Sequence, residues 1–189
     1  ITVNPIPVGD AIPNQTICSG ESTSEVQLTS ASAGATFTWS ATTSEVTGAT
    51  TSGNSSIINA QQLTSVGSQQ GTVIYSITPT LTGCNGNIIN YTVYVIPAPT
   101  APTIPLKTVC INELSSTPIS IKDANANFTY HWYDKQNNLV HSGTSYTLTT
   151  PDTLFVESTT TQGCKSLSKA EAILMLADTP SVSFTFEPQ

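Results

Sequence analysis

The chain has no arginine, and charged residues make up only 9% of its 189 positions. The formal net charge is −7 and the pI about 4.4. Nucleic-acid binding needs clustered Lys and Arg to displace phosphate counterions, so that class is excluded. The same shortage argues against an anionic membrane surface. No apolar run is long enough to cross a bilayer, so no membrane insertion is expected of this segment. No helical period persists over three turns. There is no CxxC pair, and the two histidines are not at ligand spacing, which argues against a zinc site. No DxDxDG loop marks a calcium cage. No GxSxG elbow accompanies the many serines. The chain reads as a non-enzyme without a built-in cofactor.

What is present is alternation. Val26 and Leu28 alternate with polar neighbours, as do Phe37 and Trp39, then Val73, Tyr75 and Ile77, then Ile89, Tyr91, Val93 and Val95. The second half repeats the style with Ile119 and Ile121, with Phe128, Tyr130 and Trp132, with Leu154 and Val156, and with Ala170 to Ala177. Period 2 places one apolar face of each strand against an opposing sheet. Turn residues interrupt every 8–12 positions, as in antiparallel sandwiches. The Ser/Thr/Gly-rich stretch 42–56 is expected to form loops and short edge strands. The fold class is all-β: two tandem antiparallel β-sandwich domains in an elongated arrangement.

The two halves share a register. Pro5 and Pro7 precede Cys18 by the same numbers of residues as Pro97 and Pro99 precede Cys110. Proline fixes φ and lacks a backbone donor, so Pro97, Pro99 and Pro102 are expected to make a stiff extended linker. The expected domains are 1–97, with residues 1–4 able to complete a preceding domain, then 98–178, then 179–189 as a linker or the start of a following domain. Both ends look cut, so a segment of a longer secreted protein is expected. Trp39 and Trp132 follow Cys18 and Cys110 by 21 and 22 residues and are the candidate core residues.

Four cysteines in a secreted-looking β protein favour disulfides. Three arrangements stand open: pairs within each half (Cys18–Cys84 and Cys110–Cys164), a Cys18–Cys164 bond, or free thiols and bonds to neighbours. In the simplest sandwich topology the within-half partners lie at opposite ends of a domain. His131 and His141 read as solvated sheet and turn residues. A calcium ion at a domain joint, using Asp10 or Asp178, is the one cofactor the chain leaves room for.

Several stretches together resemble a family. Val93–Pro99, Thr16-Ile17-Cys18-Ser19-Gly20, Ala35–Trp39 and Gly71–Pro79 are similar to the PKD-like repeats of giant Bacteroidetes cell-surface proteins. Tyr130-His131-Trp132-Tyr133-Asp134, Ser142–Thr147, Phe155-Val156-Glu157-Ser158 and Gly163-Cys164 resemble the Ig-like domain that travels with them. Ile111-Asn112 departs from the small-Gly pair usual after the cysteine, so a different turn is expected there. The resemblance, to gliding-motility adhesins of the SprB type exported by the type IX system, implies a structural stalk segment at the bacterial cell surface. It implies neighbouring repeat domains of the same long chain as partners, and surface polysaccharide or substratum as a further contact. Asp152-Thr153-Leu154 is similar to the O-glycosylation motif of secreted Bacteroidetes proteins, which makes Thr153 a candidate acceptor; an ordinary corner is the other reading. The alternative function is an ancillary carbohydrate-binding region of a secreted polysaccharide-degrading enzyme, with Tyr94 and Tyr133 as stacking platforms.

Overall fold

The longest strand of the computed structural model is Gly71–Leu81, and its alternation is nearly complete. Val73, Tyr75, Ile77 and Pro79 face inward and are fully buried, while Thr72, Ile74, Ser76, Thr78 and Thr80 face out. The structure describes residues 5–177. The expected strands at 1–4 and 181–186, and the segment 179–189, lie outside the described residues. Contacts divide the chain into one unit up to Ala98 and another from Pro99.

Unit one contains β1 (Gln15–Cys18), β2 (Val26–Gln27), β3 (Thr36–Ser44), β4 (Val46–Thr47), β5 (Ser52–Gly53), β6 (Ile57–Ile58), β7 (Thr64–Ser65), β8 (Gly71–Leu81), β9 (Cys84–Asn85) and β10 (Ile89–Ile96). The main sheet runs β1-β10-β8-β3-β5, with β9 folded onto β8. Opposite it lie the short pairs β2–β6 and β4–β7. Their Val26, Ile58 and Val46 close the core over Trp39, Tyr75, Tyr91 and Val93. β3 continues to Ser44, further into the Ser/Thr-rich stretch than the loops expected from residue 42, although its inward alternation ends at Ala41. β-Branched threonine suits a pleated, half-exposed surface, which lets a run without large apolar residues stay extended.

Unit two contains β11 (Lys107–Val109), a 3-10 turn (Ile111–Glu113), β12 (Ile119–Ser120), β13 (Phe128–Tyr133), β14 (Leu139–Ser142), β15 (Ser145–Tyr146), β16 (Thr153–Thr160) and β17 (Ala170–Leu176). Its main sheet runs β11-β17-β16-β13-β14, with β12–β15 opposite. Trp132, fully buried, sits among Leu154, Val156, Ile119 and Leu174. All-β architecture with two sandwiches therefore holds.

One topological feature recurs. In each unit the first long segment makes a single bridge to the far sheet, Gly9 with Ser30 and Thr103 with Lys122. It then crosses over and joins the unit's last strand in parallel, β1 with β10 and β11 with β17. Everything else described is paired antiparallel. The turn after each crossover is closed alike, Glu21 N–H to Cys18 O at 3.0 Å and Glu113 N–H to Cys110 O at 3.0 Å. Gly20 takes φ +91° in the first, whereas the second, lacking glycine there, tightens into the 3-10 turn. A side chain at φ +91° would be strained, so the Ile-Asn departure changes the turn as expected.

Candidate functional surfaces

The tryptophans occupy equivalent inward positions on β3 and β13, but their indole N–H groups differ. Trp132 Nε1 donates to Gly143 O at 2.8 Å. Trp39 Nε1 is buried with no acceptor. Trp39 packs edge-on to Tyr75, whose ring stacks on Tyr91 with centroids 5.4 Å apart. Gly53, paired with Trp39 across β5, lies flat on the indole: a Cβ there would come within 2.4 Å of Cζ2. The Tyr91 hydroxyl is likewise buried without a partner. Burial, with Tyr75 beside it, pushes the Tyr91 phenol up to about 12.

The cysteines split unexpectedly. Cys18 and Cys164 are disulfide-bonded, whereas Cys84 and Cys110 are free thiols. Pairing within each unit, Cys18–Cys84 and Cys110–Cys164, is therefore not formed, which corrects that reading. Distance is the reason. Cys18 stands opposite Ile96, beside the Gly71 end of β8, and Cys84 pairs with Leu81 at the other end. Ten steps of about 3.3 Å along a strand separate the two by roughly 33 Å, against the ~4.4–6.8 Å that a disulfide spans between Cα atoms. In unit two Cys110 follows the Val109–Leu176 pair, while Cys164 sits in the turn before β17, its N–H on Thr160 Oγ1 at 3.0 Å. Cys18 itself ends the parallel pair β1–β10, and Ser19 N–H extends that pair to Ile96 O at 2.8 Å.

Of the expected linker prolines, Pro97 and Pro99 flank the division between the units. Pro102 belongs to unit two: it lies between Thr100, whose carbonyl accepts from Ser158 Oγ at 2.7 Å, and Thr103, whose carbonyl accepts from Lys122 N–H at 2.8 Å. Pro7, the N-terminal counterpart, is fully buried against Gly86, where a Cβ would strike the Pro7 carbonyl at 2.0 Å. Sequence spacing aligned these prolines but missed that part of each proline-rich segment is docked onto its own sandwich.

Asp10 accepts a 2.6 Å hydrogen bond from Thr29 Oγ1, and Asp178 lies outside the described residues. Among the described residues no three His, Cys, Asp or Glu gather as metal ligands would. Thr153 opens β16 half-buried, its N–H on the Asp152 carboxylate at 2.7 Å. Asp152 also pairs with Lys135 Nζ at 2.8 Å, which holds its carboxyl below the usual range. His131 is half-buried with Nδ1 2.9 Å from Ser142 Oγ. The carboxylate opposite it on β16, Glu157, is taken by Lys165 at 3.0 Å and by the Tyr133 hydroxyl at 3.4 Å. His141 packs against Tyr146. Among the described residues a serine–histidine contact thus exists without a carboxylate bonded to the imidazole.

The two expected aromatic platforms differ. Lys169 Nζ sits 3.5 Å from the centroid of the Tyr133 ring and hydrogen-bonds Asn137 Oδ1. One face of that ring is therefore covered by a cation and is not open for a sugar. Tyr94 is half-buried on the outer face of β10, in register with Thr72 and Thr16.

The outer face of unit one is the surface that sequence reading overlooked. Thr36, Thr38, Ser40, Thr42 and Ser44 of β3 lie in register with Thr80, Thr78, Ser76, Ile74 and Thr72 of β8. Asn90, Thr92 and Tyr94 of β10 continue the rows. Ser76 and Thr80 hydroxyls bond neighbouring asparagines, and Thr36 a carbonyl. The hydroxyls of Thr38, Ser40, Thr42, Ser44, Thr72, Thr78 and Thr92 engage no protein group among the described residues. The signal was in the sequence as the alternate positions of Thr36–Ser44 and Thr72–Thr80, which served there only to mark the non-core face.

Comparison with known proteins agrees with two modules of different kind. Residues 15–99 match the PKD-like domain family. Residues 99–176 match the family described as Ig-like domain, CHU_C associated. The chain thus carries a PKD-like domain followed by an Ig-like domain. No curated protein matches it. Solved structures similar to it include the D00-D0 domain of Intimin, at 12% identity over 92% of this chain and 100% of that one, TM-score 0.38. The Yersinia pseudotuberculosis adhesin InvE is 15% identical over 89% of this chain and 58% of its own, TM-score 0.25. The human Desmocollin-1 ectodomain is 12% identical over 97% and 39%, TM-score 0.30. At these values the likeness is remote.

Proposed function

We propose that this chain is a non-catalytic, load-bearing stalk segment of a bacterial cell-surface adhesin, serving surface adhesion and gliding motility after type IX export. Its partners would be neighbouring repeat domains of the same long chain. The observation that carries the reading is the parallel pairing of first and last strands in both units. Tension along a chain pulls β1 by its N-terminal end and β10 by its C-terminal end. Parallel neighbours pulled this way slide past each other, so their hydrogen bonds are loaded together rather than opened singly. Cys18, disulfide-bonded, stands at the last residue of that clamp, where a covalent bond limits extension. The PKD-like and Ig-like assignments support the same reading, as does a surface solubilised by hydroxyls more than by charge.

Single-molecule stretching of the reduced chain between its termini tests this. Two discrete unfolding events at well-resolved force are expected, with the released contour length shortened when Cys18 and Cys164 are oxidised. Extension at negligible force contradicts a load-bearing role. The reading as an ancillary region of a polysaccharide-degrading enzyme loses one of its two platforms, because Lys169 covers Tyr133.

A further inference from the structure

The cysteines occupy two kinds of position, and each unit has one of each kind. Cys18 and Cys110 stand where the first strand of a unit ends, β1 or β11, and their carbonyls close the turn that follows. Cys84 and Cys164 follow a glycine at positive φ, Gly83 at +84° and Gly163 at +89°, in the turn after β8 or β16. The oxidation states cross over. In unit one the first-strand cysteine is disulfide-bonded and the hairpin cysteine is free. In unit two the hairpin cysteine is bonded and the first-strand cysteine is free. The oxidised cysteines are thus one of each kind, and so are the free thiols. Each free thiol has its counterpart in the other unit engaged in a disulfide, so both positions can carry one in this fold. Cys84 is half-buried and Cys110 exposed. Uncovered apolar side chains accompany both. Ile88 follows Cys84, and Ile6 and Val8 flank Pro7, whose carbonyl lies against Gly86. Leu106 precedes β11, and Met175 and Leu176 lie opposite Thr108 and Val109.

We propose that Cys110 and Cys84 are the two halves of a head-to-tail disulfide between copies of this chain, Cys110 of one copy bonding Cys84 of a second. The two free thiols of one chain are of unlike kind, as the oxidised cysteines are, so a second copy supplies the complement of each. Such a contact is heterologous. A linked pair still carries one free thiol of each kind, so linkage extends into a row instead of stopping at a dimer. The exposed apolar residues beside each thiol give the two ends area to bury when they meet. A small disulfide such as oxidised glutathione supplies the oxidising equivalents. The Cys84 thiolate attacks one glutathione sulfur and expels glutathione thiolate. The Cys110 thiolate of the second copy then attacks the Cys84 sulfur and expels the other glutathione. Two protein thiols are oxidised to one disulfide, and one glutathione disulfide is reduced to two thiols. The bond needs no load on the chain, so it fails or holds in a different experiment from the stalk reading.

Mixing two variants in a glutathione redox buffer tests it, read by non-reducing electrophoresis and by peptide mapping with mass spectrometry. Cys84→Ser alone and Cys110→Ser alone should each stay monomeric, because each keeps free thiols of one kind. Mixed, they should give a covalent dimer whose new crosslinked peptide joins Cys84 to Cys110. The wild-type chain should give a ladder of dimers, trimers and longer species. Both variants should melt at the wild-type temperature, which separates lost linkage from lost folding. Dimers formed by either variant alone as readily as by the mixture overturn the proposal, because any two accessible thiols would then serve. A mixture that stays monomeric overturns it too, as does a wild-type chain that ends with glutathione on both thiols. A dimer whose crosslink contains Cys18 or Cys164 overturns it equally.

Discussion

The two units solve one packing problem with different chemistry. Unit one buries an aromatic stack, Trp39–Tyr75–Tyr91, and leaves the Trp39 N–H and the Tyr91 hydroxyl without partners. Unit two buries Trp132 with its N–H satisfied by Gly143, and its Tyr130 hydroxyl accepts from Asn125 N–H at 2.8 Å. Outside, unit one has exposed carboxylates but no cation, and the outer face of its β10-β8-β3 sheet is uncharged, whereas unit two carries Lys165 on Glu157, Lys135 on Asp152 and Lys169 over Tyr133. A sandwich can thus be fitted with aromatic rings whose polar atoms stay unpaired, or with rings whose polar atoms are bonded; in unit two the buried atom without a partner is the Thr159 hydroxyl rather than a ring group. A buried polar group without a partner costs roughly 1–3 kcal/mol. Unit one carries two such groups yet keeps its architecture, which shows how far ring burial outweighs them.

The comparison predicts a graded set of effects. Trp132→Ala should be the most damaging change, about 3–5 kcal/mol from the lost ring, with the Gly143 carbonyl also losing its donor. Denaturant melts read on each unit separately should show unit two affected and unit one intact. Gly53→Ala comes next, at about 1–3 kcal/mol, because its methyl has nowhere to go but into the Trp39 ring. The damage should be confined to unit one.

Tyr91→Phe and Tyr130→Phe sharpen the contrast. Removing the unpartnered Tyr91 hydroxyl should leave stability unchanged or higher, whereas Tyr130→Phe should cost about 0.5–1.5 kcal/mol. Alkali should separate them further. Burial raises Tyr75 as well as Tyr91. Below the ordinary phenol range near ~10 both rings are protonated, folded or unfolded, and unit one keeps its full stability. Above that, the unfolded chain sheds its protons first, so stability falls as pH rises towards the Tyr91 value of about 12. Tyr91→Phe should flatten that decline, measured as melting temperature against pH. Lys169→Ala should be the smallest change, about 0.5–1 kcal/mol from the lost ring contact.

Alternation made most of the fold legible. The inward residues of β3, β8, β10, β13 and β16 can be read directly from period 2, because each sheet has one wet face. The crossover of the first strand into parallel pairing could not be read so, since Gln15–Cys18 contains only one clearly inward residue, Ile17. The cysteines show a second limit. Spacing reports loop length, but a strand can carry two residues of one loop to opposite ends of a sheet, as β8 does for Cys18 and Cys84. The hydroxyl face was visible residue by residue and became a surface only when β3, β8 and β10 were set in register.

A parallel clamp resists one direction of pull more than another. The reduced chain would be tethered in two ways: through Gln15 and Ile96, which shears β1 along β10, and through Gln15 and Ile89, which peels the same two strands from a common end. A markedly higher rupture force is expected for the first geometry than for the second, with β1–β10 separating in both. Equal forces would contradict the clamp, because the parallel pair would then carry no directional load.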